Sequence, residues 1–218
     1  MYAIIVANAP DFDATPFADA LAAADLVIAA DGGGNALHAI GVVPHLVVGD
    51  LDSLDPAVGR AFRAAGAELR RFPTEKDETD LELALLLAVE RGADQIDILG
   101  AIGGRWDQGL ANVAMLALPE LVGLRVRLLD VDQEAFLVRG TAEIPGAAGD
   151  TVSLLPLGGA AHGITTRGLH YRLDAATLRF ERSRGISNRI VQPPAHVSVG
   201  EGLLLVVHHH RPSESRGY

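Results

Sequence analysis

The chain has 218 residues, 49% of them hydrophobic, which is enough to fill one large core or two small ones. Its formal net charge of -10 repels nucleic-acid backbones and anionic membranes, so neither is expected as a partner, and a phosphate-bearing ligand needs a local site. With no cysteine, disulfides and thiolate metal centres are excluded, and a small-molecule partner is expected.

Residues 1–8 are apolar but lack a charged leader and are too short to cross a bilayer, so they read as the first strand of a cytoplasmic protein. Onward to about residue 132, β-branched runs alternate with Ala/Leu-rich stretches of helical period. Strands are expected over 3–8, 26–31, 46–50, 68–72, 95–100 and 125–129, with helices over 81–91 and 110–118. Asp55-Pro56 is a helix start, an N-cap followed by proline at the first helical position. After Gly140 the texture changes to short strand-like segments over 151–155, 169–173, 190–192 and 203–207, a unit of roughly seventy residues, small but able to fold alone. The expected fold is therefore α/β: an N-terminal parallel-sheet nucleotide-binding domain over 1–140, joined near 145–149 to a C-terminal all-β sandwich over 149–210. A tail follows over 211–218. His208-His209-His210 reads as a strand end entering that tail, with a transition-metal site as the alternative and no function placed on it.

Four polar motifs follow predicted strands, so an open parallel sheet would gather them along its carboxyl edge. Asp31-Gly32-Gly33-Gly34-Asn35 can bring backbone N–H groups to an anion, or can simply be a tight strand-to-helix turn. In Gly49-Asp50-Leu51-Asp52-Ser53, carboxylates two apart in extended chain point to one side and repel unless a hard cation such as Mg²⁺ lies between them. In Lys76-Asp77-Glu78-Thr79-Asp80-Leu81-Glu82, Thr79 and Glu82 have capping-box spacing, and Asp80 suits either a helix dipole or a metal. Lys76, the sole lysine, suits a phosphate as a point charge. The fourth motif spans Gly100–Asn112, where Arg105, Gln108 and Asn112 recur at helical spacing and Arg105 is a natural phosphate clamp. There Asp107 can cap the helix, and Trp106 can be core or a rim platform. These parts suit phosphoryl transfer, which needs positioning and charge neutralisation more than a protein nucleophile, and either Asp77 or Asp80 could take a hydroxyl proton.

Together, Asp31-Gly-Gly, Gly49-Asp-Leu-Asp-Ser53, Lys76-Asp-Glu-Thr-Asp80 and Gly103-Gly-Arg-Trp-Asp-Gln-Gly-Leu-Ala-Asn112 resemble the ordered motifs of the thiamine pyrophosphokinase family. Gly168-Leu-His-Tyr-Arg-Leu173 and Gly185-Ile-Ser-Asn188 resemble that family's thiamine-binding domain, so the resemblance spans nearly the whole chain. It implies transfer of a pyrophosphoryl group from ATP to the hydroxyl of thiamine, giving thiamine diphosphate and AMP. It also implies a homodimer, with thiamine held between the α/β domain of one chain and the β domain of the other. Carried onto matching positions, Asp50, Asp52 and Asp80 would hold Mg²⁺, with Asp31 nearby. Lys76 and Arg105 would meet ATP phosphates, and Ser187 and Asn188 would receive thiamine. Two positions depart from the pattern: Gln108 stands where bacterial members often have histidine, and Arg189 where an acid is common. The alternatives are a related pyrophosphokinase acting on a hydroxymethyl pterin, and an ATP-binding sensor without activity. The segment ending in Ser187-Asn188 favours thiamine.

Overall fold

The computed structural model describes residues 1–211; the expected tail, apart from Arg211, lies outside the described residues. The chain divides into two compact units that join at Val131/Asp132.

In the first unit, strands β1 (Tyr2–Val6), β2 (Leu26–Ala30), β3 (Leu46–Gly49), β4 (Glu68–Arg71), β5 (Gln95–Leu99) and β6 (Arg125–Leu129) form a sheet in the order β4-β3-β2-β1-β5-β6. Every pairing is parallel. Helices α1 (Ala18–Ala23), α2 (Gly33–Ala39), α3 (Pro56–Ala64), α4 (Asp80–Glu90) and α5 (Trp106–Met115) provide the connections. β2 and β3 are buried at every position, which explains their unbroken apolar runs: a parallel sheet is covered on both faces. Val6, Val27, Ala29 and Val47 share a core with Leu37 of α2 and Phe62 of α3. α4 buries Leu81, Leu83, Ala84, Leu85, Leu87 and Ala88.

Local chemistry sets the helix starts. Asp55 accepts a hydrogen bond from the Ala57 N–H at 2.6 Å, with Pro56 opening α3. Thr79 accepts from the Glu82 N–H at 3.2 Å and opens α4. α5 begins four residues before the expected start at Leu110, because its N-cap is Arg105. Asp107 thus sits inside the first turn rather than at the cap.

The order in which strands are added reverses between β1 and β5: β2 to β4 build outward on one side of β1, and β5 and β6 on the other. Ligands of doubly wound sheets bind beside such a switch, at the carboxyl ends of the strands. One polar network is buried within this sheet. Asp97, 1% exposed, takes two hydrogen bonds from Arg127, 2.8 and 2.7 Å long, and one from the Tyr2 hydroxyl at 2.9 Å. Burial and the Asp97 carboxylate push the Tyr2 phenol well above its usual range.

The second unit is strand-rich: β7 (Gln133–Val138), β8 (Thr141–Ile144), β9 (Thr151–Arg167), β10 (Ala176–Leu178), β11 (Asn188–Arg189), β12 (Ala195–Ser198) and β13 (Glu201–His209). β9 runs through two pairing networks. Its first half pairs with β13 and β11, its second with β12 and β10. Glycines with positive φ at 158 and 163 let a 17-residue strand turn between them, where only a five-residue strand was expected. Val152, Leu154, Ile164, Val197, Leu204 and Val206 meet in one core.

Three boundaries differ from the sequence reading. The join precedes 145–149, because β7 pairs with β13 and β8 with β12, so both belong to the second unit. Residues 169–173 and 190–192 are not strands and share only a single bridge, Leu169 to Ile190. There the Asn188 side chain replaces a ladder, accepting from the Tyr171 N–H at 2.9 Å and donating to the Tyr171 carbonyl at 2.8 Å.

Candidate active site

A cavity of about 630 Å³ opens at the carboxyl edge of the first unit's sheet. Asp31, Asp50, Asp52, Lys76, Asp80, Arg105, Asp107, Gln108 and Asn112 all line it, together with the strand ends Ala7–Ala9 and Gly100–Ala101. Its floor is the switch between β1 and β5, and its acidic wall stands at the ends of β2 and β3.

Asp31 follows β2 with φ 44, a left-handed conformation that costs a non-glycine residue on the order of 1 kcal/mol. In that turn the carboxylate joins the acidic wall, where Oδ2 accepts from the Ser53 N–H at 3.2 Å while Oδ1 is buried without a hydrogen bond. Asp50 and Asp52 are not two residues of an extended strand. Leu51 between them has φ 62, and the chain turns so that the Asp52 N–H donates to Asp50 Oδ1 at 3.2 Å. This hydrogen bond is the main cause holding the Asp50 carboxyl below its usual range, with Thr74, Lys76 and Arg71 adding to it. The outcome is that Asp31, Asp50 and Asp52 each offer a carboxylate oxygen within 4.8 Å of the others.

Asp80 approaches from the first turn of α4. Gly49 makes room: a Cβ there would stand 2.9 Å from Asp80 Cγ and 3.0 Å from Asp31 Cβ. Asp80 Oδ1 is 3.0 Å from Lys76 Nζ, an i, i+4 ion pair that lacks the angle of a hydrogen bond. Lys76 Nζ also donates to the Pro73 carbonyl at 3.1 Å, so the ammonium is held over the acidic wall.

Burial raises the Asp31 pKa above its ordinary value, the neighbouring Asp80 charge raises it further, and the Ser53 hydrogen bond only partly offsets them. An acid whose folded pKa is raised stabilises the fold at low pH and loses that contribution as pH climbs through the folded value. Asp31→Asn is therefore expected to raise the unfolding temperature of the metal-free protein at pH 7, and the gain should vanish below about pH 4, near the ordinary carboxylate value. Thermal scans with chelator across that range check it. A wild type more stable than Asp31→Asn at pH 7 would contradict the charge balance described for this wall.

Across the cavity, Arg105 donates through Nε to Asp107 Oδ1 at 3.1 Å and through Nη2 to Asp107 Oδ2, and both side chains are exposed. These bonds hold the Asp107 carboxyl low. Asn112 donates to the Ala101 carbonyl at 2.6 Å and pins the glycine loop to α5. Gln108 is exposed at the rim.

Several expected residues lie elsewhere. Asp77 is exposed and absent from the cavity wall. Gly32 and Gly33 are packing glycines; a Cβ on Gly33 would come 2.1 Å from the Val6 carbonyl oxygen. Asn35 clasps the acidic turn from behind, donating to the Ser53 carbonyl at 2.9 Å and accepting from the Asp55 N–H at 3.0 Å. In the second unit Ser187 is exposed with φ 59, whereas Asn188 is buried and its amide is spent on Tyr171. Trp106 is 87% exposed and so belongs to no core. Asn8, which sequence reasoning passed over, lines the cavity at the end of β1; its place just past the central strand was the available signal.

Comparison with known proteins follows the two units. Residues 17–128 match the model for the thiamin pyrophosphokinase catalytic domain, and residues 141–204 that for the thiamin pyrophosphokinase vitamin B1 binding domain. A thiamine pyrophosphokinase from Bacillus subtilis is 29% identical over 184 residues, covering 84% of this chain and 86% of that protein. The crystal structure of thiamine pyrophosphokinase from Bacillus subtilis superposes with a TM-score of 0.85 at 26% identity, over 96% of this chain and 99% of the other. Yeast thiamin pyrophosphokinase, at 19% identity and TM-score 0.81 over 95% and 86% of the two chains, shares the fold. With both units matched in order and an acidic cavity at the switch of the first, the chain belongs to the thiamin pyrophosphokinase family.

Proposed function

We propose that this chain transfers a pyrophosphoryl group from ATP to the hydroxyl of thiamine, releasing thiamine diphosphate and AMP, with Mg²⁺ held at the acidic wall. One observation carries the reading: three carboxylates, an ammonium and a guanidinium, from Asp31, Asp50, Asp52, Lys76 and Arg105, face one cavity at the sheet's switch point. The donor set suits a hard divalent ion, being all oxygen, and the buried Asp31 Oδ1 without a hydrogen bond is what such an ion would satisfy.

In this reading Asp31, Asp50 and Asp52 hold the ion, a set that takes Asp31 in place of Asp80. When bound, Mg²⁺ supplies charge neutralisation to the polyphosphate. Lys76 meets phosphate oxygens as a point charge, and Arg105 turns from Asp107 to do the same with its planar fork. Asp80, beside Lys76 and close to Asp31, takes the proton of the acceptor hydroxyl. Ser187 presents its hydroxyl to thiamine, while Asn188 acts through the Tyr171 backbone it braces. Two copies complete each other's sites as a homodimer in the cytoplasm, which would give the exposed Trp106 and Leu110 a cover. Among the described residues no helix is long and apolar enough to cross a membrane.

Incubation with ATP, Mg²⁺ and thiamine should yield thiamine diphosphate and AMP in equal amounts. ATP loss that ignores thiamine, or none in its presence, would overturn the proposal.

A further inference from the structure

A second polar cluster lies in the β unit, and the proposed reaction makes no use of it. His208 and His210 are two apart at the end of β13, so extended chain sends both side chains to one face. The ladder continues past the strand, since the His210 N–H donates to the Asp132 carbonyl at 2.7 Å. On β7, Glu134 is the cross-strand partner of His208. His208 is fully buried, and Glu134 and Asp150 are nearly so.

We propose that Glu134, His208 and His210 form a binding site for a zinc-like transition-metal ion, with Asp150 orienting His208. These three residues each offer a ligand atom within 4.8 Å of the other two. Bonds of about 2.0 to 2.2 Å put tetrahedral ligands about 3.3 to 3.6 Å apart, and His208 Nδ1 lies 3.3 Å from Glu134 Oε1. The two imidazole rings converge, their centroids 4.2 Å apart. The opposite nitrogen, His208 Nε2, lies 3.0 Å from Asp150 Oδ2, the carboxylate partner that a metal-bound histidine characteristically keeps. Asp150 is itself fixed, accepting from the Ala147 N–H and the Arg211 N–H, each at 2.9 Å. Loop closure here requires Gly146, whose Cβ would stand 2.7 Å from Asp150 Oδ2. His210 is half-exposed, which gives an ion a path in from solvent, and its Nδ1 lies 3.9 Å from Asp150 Oδ2. Two imidazoles and a carboxylate suit Zn²⁺ or Co²⁺ rather than Mg²⁺, which distinguishes this site from the all-carboxylate wall.

Burial alone would lower the His208 pKa, but the hydrogen bonds to Glu134 and Asp150 outweigh it and raise it. Untagged protein incubated with Zn²⁺ in excess Mg²⁺ and then desalted should retain about one zinc per chain. The Co²⁺ form should show the intense visible bands of tetrahedral coordination. His210→Ala, at a half-exposed position, should keep the fold by circular dichroism and lose the metal. Asp150→Asn should weaken it about 10- to 100-fold, and His209→Ala, at the half-exposed neighbour that pairs with Asp132 instead, should change nothing. Absence of retained zinc, equal retention by His210→Ala, or loss on His209→Ala would each overturn the site, leaving His208 a structural clamp between two carboxylates.

Discussion

Replacing Asp50 with asparagine is expected to lower kcat for thiamine diphosphate formation by about 10²- to 10³-fold, the scale on which removing one preorganised charge-stabilising group acts. The substitution is nearly isosteric, and the amide oxygen can still accept the Asp52 N–H that closes the turn. What is lost is one negative charge among three carboxylates whose oxygens lie within 4.8 Å. Asp50 bears that charge more readily than Asp31, since its pKa is lowered where that of Asp31 is raised. A Mg²⁺ titration should show the half-saturating concentration rising along with the loss in kcat, and an unchanged unfolding temperature would exclude a folding defect. Near-wild-type turnover at limiting Mg²⁺ would remove Asp50 from the site.

The largest stability effect is expected from Asp97→Ala, which should cost about 3 to 5 kcal/mol, as breaking one partner out of a buried pair does. For a chain of this size that corresponds to a fall on the order of 10 °C in unfolding temperature. Asp97 is 1% exposed and receives three hydrogen bonds, two from Arg127 and one from Tyr2, so its removal breaks three bonds that tie β1, β5 and β6 together. Urea unfolding of wild type, Asp97→Ala and Asp97→Asn gives the comparison, and Asp97→Asn should fall between. By contrast, Asp107→Ala, which breaks an exposed pair with Arg105, should leave the unfolding temperature unchanged. If Asp97→Ala were equally silent, the network would have no structural weight.

Most elements of the first unit were legible in the sequence because local signals and global fold agree there. Unbroken apolar runs became buried parallel strands, and Asp55-Pro56 and Thr79 became caps through bonds within three residues. The acidic motifs were legible too, as carboxylates with no local reason to sit together. Their grouping was not. Extended geometry for Asp50-Leu51-Asp52 failed because Leu51 takes a positive φ, which a leucine adopts only when its surroundings impose it. Asp31 joins that pair, and Asp80 turns to Lys76, because Gly49 leaves space for side chains from two different elements to meet.

The second unit was harder to read, since its pairings are non-local. β9 exchanges partners midway, and the buried Asn188 amide takes the place of a ladder expected from the strand-like segment 169–173. His208-His209-His210 read as a strand end, which it is, but only register with β7 and the return of Asp150 show that His208 is enclosed by carboxylates. Sequence alone determined the class of fold, the strands of the first unit and the acidic character of its cavity, because those follow from period and composition along the chain. Tertiary structure decided which acids share an oxygen cluster, which polar residues are packing or bracing, and which histidine is buried, because each depends on atoms that only folding brings together.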